Sequence, residues 1–110
     1  MADILTDLYE IVEQRKTDRE EGSYTAYLFD AGLDKILKKL GEESAETIIA
    51  AKNLHCCGAE PEREALTGEV GDLLYHLVVL LNALEIPPSE IDSLLRTRMT
   101  KQGNLKEGVK

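Results

Sequence analysis

Two acidic clusters carry the chemistry available to this sequence. In "KLGEESAET" the carboxylates of Glu42, Glu43 and Glu46 fall within five residues, and Glu69 and Asp72 form a second pair in "GEVGD". Residues three or four apart on a helix are neighbours, and each like-charge pair costs roughly 0.2–0.5 kcal/mol unless a cation opposes it. Helical bundles build metal sites from carboxylates on facing helices. If Glu43-x-x-Glu46 and Glu69-x-x-Asp72 face each other, the all-oxygen donor set suits Mg²⁺, with Mn²⁺ as second choice, better than zinc. The competing reading makes Glu42, Glu43 and Glu46 a solvated face shared with Lys35 and Lys39. It sets Glu69 and Asp72 in solvent at the favourable N-terminal end of their own helix. Periodicity alone leaves both open.

The elements that position these residues are helices, because every long segment has a helical apolar period and none alternates as a strand does. "DILTDLYEIVEQRK" places Ile4, Leu5, Leu8, Tyr9, Ile11 and Val12 at helical spacing and predicts a first helix with one buried face. Gly22 and Ser23 break the pattern; a short helical turn over Ala26 to Phe29 is expected before Gly32, with Ser23 or Thr25 as N-cap. A second long helix is expected from Leu33 to about Asn53. It carries Leu33, Ile36, Leu37, Leu40, Ile48 and Ala51 on one stripe and is interrupted at Gly41. "LHCCGAEPERE" reads as a loop, with Pro61 suited to the first turn of a third helix from about Glu62 to Leu84. Beyond Pro87 and Pro88, a capping-box-like Ser89-x-x-Asp92 opens a short final helix. The expectation is one all-α domain, residues 1–100, a bundle of about four to five helices, with 101–110 as a polar tail that frays.

The third helix is apolar nearly all round in "ALTGEVGDLLYHLVVLLNAL", so it belongs in the middle of the bundle. At about 100° per residue, Glu69 and Asp72 fall along a face otherwise made of Leu73 and Leu80. So few helices cannot cover such a helix in a monomer, which implies a homodimer that completes the bundle. His76, one turn after Asp72, reads as a core histidine with its polar atoms satisfied. Tyr75, on another face, is free to meet a neighbouring subunit.

Composition narrows the partners. Thirteen Lys and Arg against twenty-one Asp and Glu give 110 residues a net charge of −8, which disfavours nucleic acid and anionic membrane surfaces. The start "MADILTDLYE" has no basic segment ahead of an apolar run, and no apolar stretch is long enough to span a bilayer; a cytoplasmic protein is expected. Cys56 and Cys57 are adjacent, without a spaced second pair, and read as reduced thiols.

The run "GSYTAYLFDAGLDKILKKLGEESAETIIAAKN", followed by "EVGDLLYHLVVLL", resembles the phosphoribosyl-ATP pyrophosphatase family of the all-α nucleoside triphosphate pyrophosphohydrolase superfamily. The superfamily pattern E-E-x-x-E, then E-x-x-D, is matched by Glu42, Glu43, Glu46, Glu69 and Asp72. The resemblance implies Mg²⁺-dependent hydrolysis of phosphoribosyl-ATP, a small-molecule nucleotide, to phosphoribosyl-AMP and pyrophosphate in histidine biosynthesis. It implies Glu43, Glu46, Glu69 and Asp72 as metal ligands, and Glu42 or Glu46 as the base that takes a proton from the attacking water. Lys35, Lys38 and Lys39 would meet phosphates, and Ser23, Tyr24 and Thr25, at a helix start, the ribose phosphate. The "LHCCGAEPERE" connection and the tail depart from the family pattern. Two alternatives share the acidic residues. One is a house-cleaning nucleoside triphosphate pyrophosphatase, which would lack the Ser-Tyr-Thr and Lys-rich signature. The other is a non-catalytic helical interaction module, favoured only if the carboxylates bind no metal.

Overall fold

A computed structural model describes residues 3–100 and 105–106 and consists of five helices in the order α1 Ile4–Thr17, α2 Tyr24–Ala31, α3 Leu33–Cys57, α4 Glu60–Ala83 and α5 Pro88–Met99. No strand occurs among the described residues. The all-α expectation holds, and the helix starts follow their caps. Asp3 accepts the N–H of Leu5 to open α1, and Ser23 accepts the N–H of Ala26 to open α2, each satisfying a donor that the first turn leaves without a partner. Pro61 lies in the first turn of α4, where its missing N–H costs nothing.

Long α3 and α4 pack against each other along most of their length and form the frame of the molecule. Only Gly58 and Ala59 separate them, so they run antiparallel. The remaining helices close over this pair. Val12 from α1, Leu28 from α2, Ile36 from α3, and Val78 and Val79 from α4 make one buried cluster, with Leu8, Phe29 and Tyr75 packed around it. Eight-residue α2 is too short to be stable alone. It is seated by Leu28 and by Phe29, over whose ring lie the cations of Lys16 and Arg19, at 5.7 and 5.9 Å from its centre. Arg19 also pairs with Asp30 at 2.7 Å.

Several expectations need correction. α3 does not end near Asn53: His55, Cys56 and Cys57 are helical and only Gly58 stops it. Nothing in that segment opposes a helix until Gly58 adopts φ +64°, its N–H returning to the Leu54 carbonyl at 2.7 Å. Gly41 does not interrupt α3. Of the stripe assigned to α3 only Ile36 is buried, while Leu33, Leu37 and Ile48 are largely exposed, Ile48 at 65 %. Ser89 and Asp92 make no capping box, because α5 starts at Pro88 behind Pro87, and Asp92 instead accepts from Arg96 at 2.8 Å. Tyr75 is bonded within the chain, to Thr25. Cys56 and Cys57 are free, exposed thiols. The expected tail at 101–110 lies outside the described residues except for 105 and 106. No single described helix is long and apolar enough to cross a membrane.

The two glycines bounding this account have opposite expected effects. A Cβ at Gly41 would meet nothing within 4 Å, so Gly41→Ala should stabilise by up to about 1 kcal/mol through helix propensity. Gly58→Ala should destabilise by about 1–2 kcal/mol, because a side chain at φ +64° is strained. Urea unfolding midpoints at unchanged slope check both.

Candidate metal centre

The antiparallel pairing of α3 and α4 brings the two acidic motifs together. Thr47 fixes the register: its hydroxyl donates to the Glu43 carbonyl at 2.8 Å and reaches the Glu69 carbonyl across the helix pair at 3.4 Å. One carboxylate oxygen each from Glu43, Glu69 and Asp72 lie within 4.8 Å of one another. Their environments differ. Glu43 is buried, at 8 % exposure, Glu69 is half-buried and Asp72 is exposed. One oxygen of Glu43 and one of Glu69 are buried without a hydrogen-bond partner. A buried carboxylate in that condition is costly, and it protonates or finds a cation.

The electrostatics agree. Burial, then the charge of Glu46, pushes the Glu43 carboxyl above its ordinary range, with Asp72 adding to the rise. Glu69 is also pushed up, first by the Glu46 carboxyl alongside with which it would share a proton, then by burial and by repulsion from Glu46, Glu43 and Asp72. Two carboxyls that resist ionising, with Glu46 and Asp72 close by, favour positive charge among them. Glu43, Glu69 and Asp72 present hard oxygens only, and this donor set fits a divalent cation of the Mg²⁺ or Mn²⁺ type.

The other residues singled out by the sequence fall around this cluster in different ways. Glu46 is exposed and stands beside Glu69, outside the three converging oxygens. Glu42 is exposed and pairs with Lys39 at 3.8 Å, rather than with Lys38 four residues back. Lys38 is exposed and Lys35 half-buried, both on α3. All three hydroxyls of Ser23, Tyr24 and Thr25 are engaged inside the chain. Ser23 caps α2, Tyr24 bonds His76 at 2.8 Å, and Thr25 bonds Tyr75. Burial first, then the Tyr75 phenol, then the Glu43 carboxylate raise the Tyr24 pKa to about 12, so its hydroxyl keeps its proton. His76 is indeed a satisfied core residue, 3 % exposed.

The sequence reading passed over Glu62 and Asn53. Glu62 has a buried, unpartnered oxygen. It lines a groove of about 250 Å³ together with Glu46, Ile49, Ala50, Asn53, Ala65 and Glu69, so the groove runs on from the acidic cluster between α3 and α4. The signal was available: Glu62 and Glu69, like Glu46 and Asn53, are seven residues apart and therefore share a helix face.

A helical frame that aims carboxylates from two facing helices at one point defines an all-α bundle protein whose oxygen donor set fits a hard divalent cation. The comparisons make the class particular. Residues 5–98 match the family model described as phosphoribosyl-ATP pyrophosphohydrolase, and the chain belongs to that family. It is 53 % identical over 98 residues to a phosphoribosyl-ATP pyrophosphatase of Listeria monocytogenes serotype 4b, covering 89 % of this chain and 87 % of the relative. Relatives of the same name from Pelotomaculum thermopropionicum, 50 % identical with 91 % and 95 % covered, and Streptococcus thermophilus, 44 % identical with 93 % and 91 % covered, match to similar extents.

The raised carboxyls have a consequence for the metal-free protein. A carboxyl whose folded pKa lies above its unfolded value stabilises the fold only while protonated, so its contribution is lost as pH rises from about 4.5 through the raised value. Glu43→Gln removes this loss. The melting temperature of the variant, measured with chelator present, should therefore pull ahead of wild type progressively between pH 4.5 and pH 7.

Proposed function

We propose that the chain hydrolyses phosphoribosyl-ATP to phosphoribosyl-AMP and pyrophosphate, with Mg²⁺ as its working cation, and so serves histidine biosynthesis. The observation that carries the metal-dependent reading is the pair of buried, unpartnered oxygens on Glu43 and Glu69 beside Asp72. The family membership supplies the substrate. A divalent cation held by Glu43, Glu69 and Asp72 supplies neutralisation of the polyphosphate and polarisation of the phosphorus under attack.

The chain's own residues divide the remaining work. Glu46 lies against Glu69 and is open to solvent, so it is the better candidate to take the proton from the attacking water. Glu42, tied to Lys39, orients that lysine. Lys35, Lys38 and Lys39 present point charges toward phosphates. The start of α2, with Ser23, Tyr24 and Thr25, meets the ribose phosphate through its free N–H groups, since the hydroxyls are already used.

A homodimer belongs to the same proposal. Ile48 and Ile49 on α3, and Val70, Leu74 and Leu77 on α4, are all substantially exposed on the two helices that carry the site. That much apolar surface on a charged protein is an interface, and a two-fold pairing of α3 and α4 would cover it. Sedimentation should give twice the monomer mass at micromolar concentration. A monomer at full activity would overturn the dimer.

Turnover decides the reaction. With Mg²⁺, wild type should release pyrophosphate from phosphoribosyl-ATP, and chelator should abolish this while the helical circular dichroism survives. Glu43→Gln, Glu69→Gln and Asp72→Asn should each lower turnover by about a hundredfold or more, and so should Glu46→Gln if it is the base. Glu42→Gln should stay within about tenfold of wild type, because it removes one exposed ion pair. Robust turnover in both Glu69→Gln and Asp72→Asn would sink the reading.

A further inference from the structure

Behind the carboxylate cluster lies a polar link that the proposed chemistry does not use. Nδ1 of buried His76 is 2.7 Å from the main-chain carbonyl of Asp72, one turn earlier on α4. A carbonyl only accepts, so Nδ1 carries a proton, and the tautomer with its proton on Nδ1 leaves Nε2 as an acceptor. The Tyr24 hydroxyl is 2.8 Å from Nε2 and donates to it. The two rings meet edge to face, at 5.6 Å and 74°. The neighbouring residue on each helix repeats the connection, Thr25 following Tyr24 on α2 and Tyr75 preceding His76 on α4. Two consecutive residues of α2 are thus bonded to two consecutive residues of α4.

Filling the core does not require this arrangement. An apolar ring at position 76 would occupy the same space with no polar atom to satisfy, whereas a buried imidazole and phenol are tolerated only when donor and acceptor are matched. What the pair adds is direction. Packing through Leu28 and Phe29 holds α2 against the core without a directional partner, whereas the hydrogen bond ties Tyr24 to one ring nitrogen. Tyr24 is the first residue of α2 and follows the capping Ser23, so the tie acts at the end of α2 nearest the carboxylates. Tyr24 is 43 % exposed, while its hydroxyl and one ring edge meet His76.

We propose that His76 is a positioning residue: through the Tyr24 hydroxyl it registers the N-terminal end of α2 against Asp72, and this register governs how tightly the nucleotide is held. The inference rests on the function proposed above. His76 does not touch substrate, and its bond is to the main chain of Asp72, not to the carboxylate. Its loss therefore acts on KM and leaves metal affinity and kcat nearly intact.

Three single variants, one double variant, calorimetry and one spectrum test this. His76→Phe and Tyr24→Phe should each raise KM for phosphoribosyl-ATP about fivefold or more, the size of one net hydrogen bond, with kcat within about threefold. Mg²⁺ affinity of the apoprotein, read by calorimetry, should stay within about twofold of wild type. The double variant should be no worse than either single one, because both cut one link. His76→Gln, whose amide oxygen can accept from Tyr24 where Nε2 did, should return KM to within about twofold of wild type. In nitrogen NMR of the apoprotein, His76 should appear as the Nδ1–H tautomer and its Nε2 signal should move in Tyr24→Phe. A KM change below fivefold in Tyr24→Phe, additive effects in the double variant, or the opposite tautomer would each overturn the proposal. If His76→Phe fails to fold, the His76→Gln rescue and the spectrum still decide it. A wild type inert toward phosphoribosyl-ATP would instead sink the functional reading and this inference with it, whereas an active wild type with unchanged KM in Tyr24→Phe sinks only the inference.

Discussion

Apolar packing of α3 against α4 holds like charges closer together than they would choose to be, and the rest of the molecule depends on that imbalance. Each buried aliphatic of the central cluster contributes about 1.5–3 kcal/mol relative to exposure, and the cluster draws on four helices at once. Repulsion between solvated carboxylates is several-fold weaker per pair. Packing wins, and Glu43 and Glu69 are left beside Glu46 and Asp72 in a setting that resists their ionisation. The same imbalance raises the Glu43 and Glu69 carboxyls and leaves a carboxylate donor set that fits positive charge.

Much of this was legible in the sequence. The cap at Ser23, the punctuation by Gly58 and Pro87, and the apolar character of α4 follow local rules that act over a turn or two, and the structure obeys them. The acidic clusters were visible as well, since type and spacing alone place carboxylates on helix faces. Less visible was which face is covered. Leu33, Leu37 and Ile48 lie on a stripe that periodicity assigns to the core, yet they are exposed in the single chain. A periodic pattern states that a face is apolar and is silent on whether its cover comes from the same chain. Likewise, His55 to Cys57 look like loop because Gly58 and Pro61 come close behind them, whereas a long helix continues until something stops it.

Polar side chains in the core were the least legible. Asn82 is fully buried and donates to Glu13, on α1, at 3.1 Å, a contact across 69 residues of sequence that no local pattern announces. The pairing of Tyr24 with His76 is of the same kind. Each residue taken alone looks like a helix starter or a core filler, and the meaning arises only when α2 is laid across α4. Glu62 is intermediate, because its shared face with Glu69 is a matter of counting, while the burial of its oxygen depends on α3 lying opposite.

The two-residue connection at Gly58 and Ala59 has a consequence for how this hairpin can vary. Adding or removing a single residue in α4 between that turn and Glu69 would swing the rest of the helix by about 100°, carrying Glu69 and Asp72 away from Glu43 while leaving every side chain unchanged. Length and phase are therefore inseparable here. A matched extension of both helices by whole turns at the Gly58 end would instead leave the carboxylates opposed and only move the bend farther off. Tolerance to insertion should follow the helical repeat, with the turn acting as an indexing stop between two toothed rods.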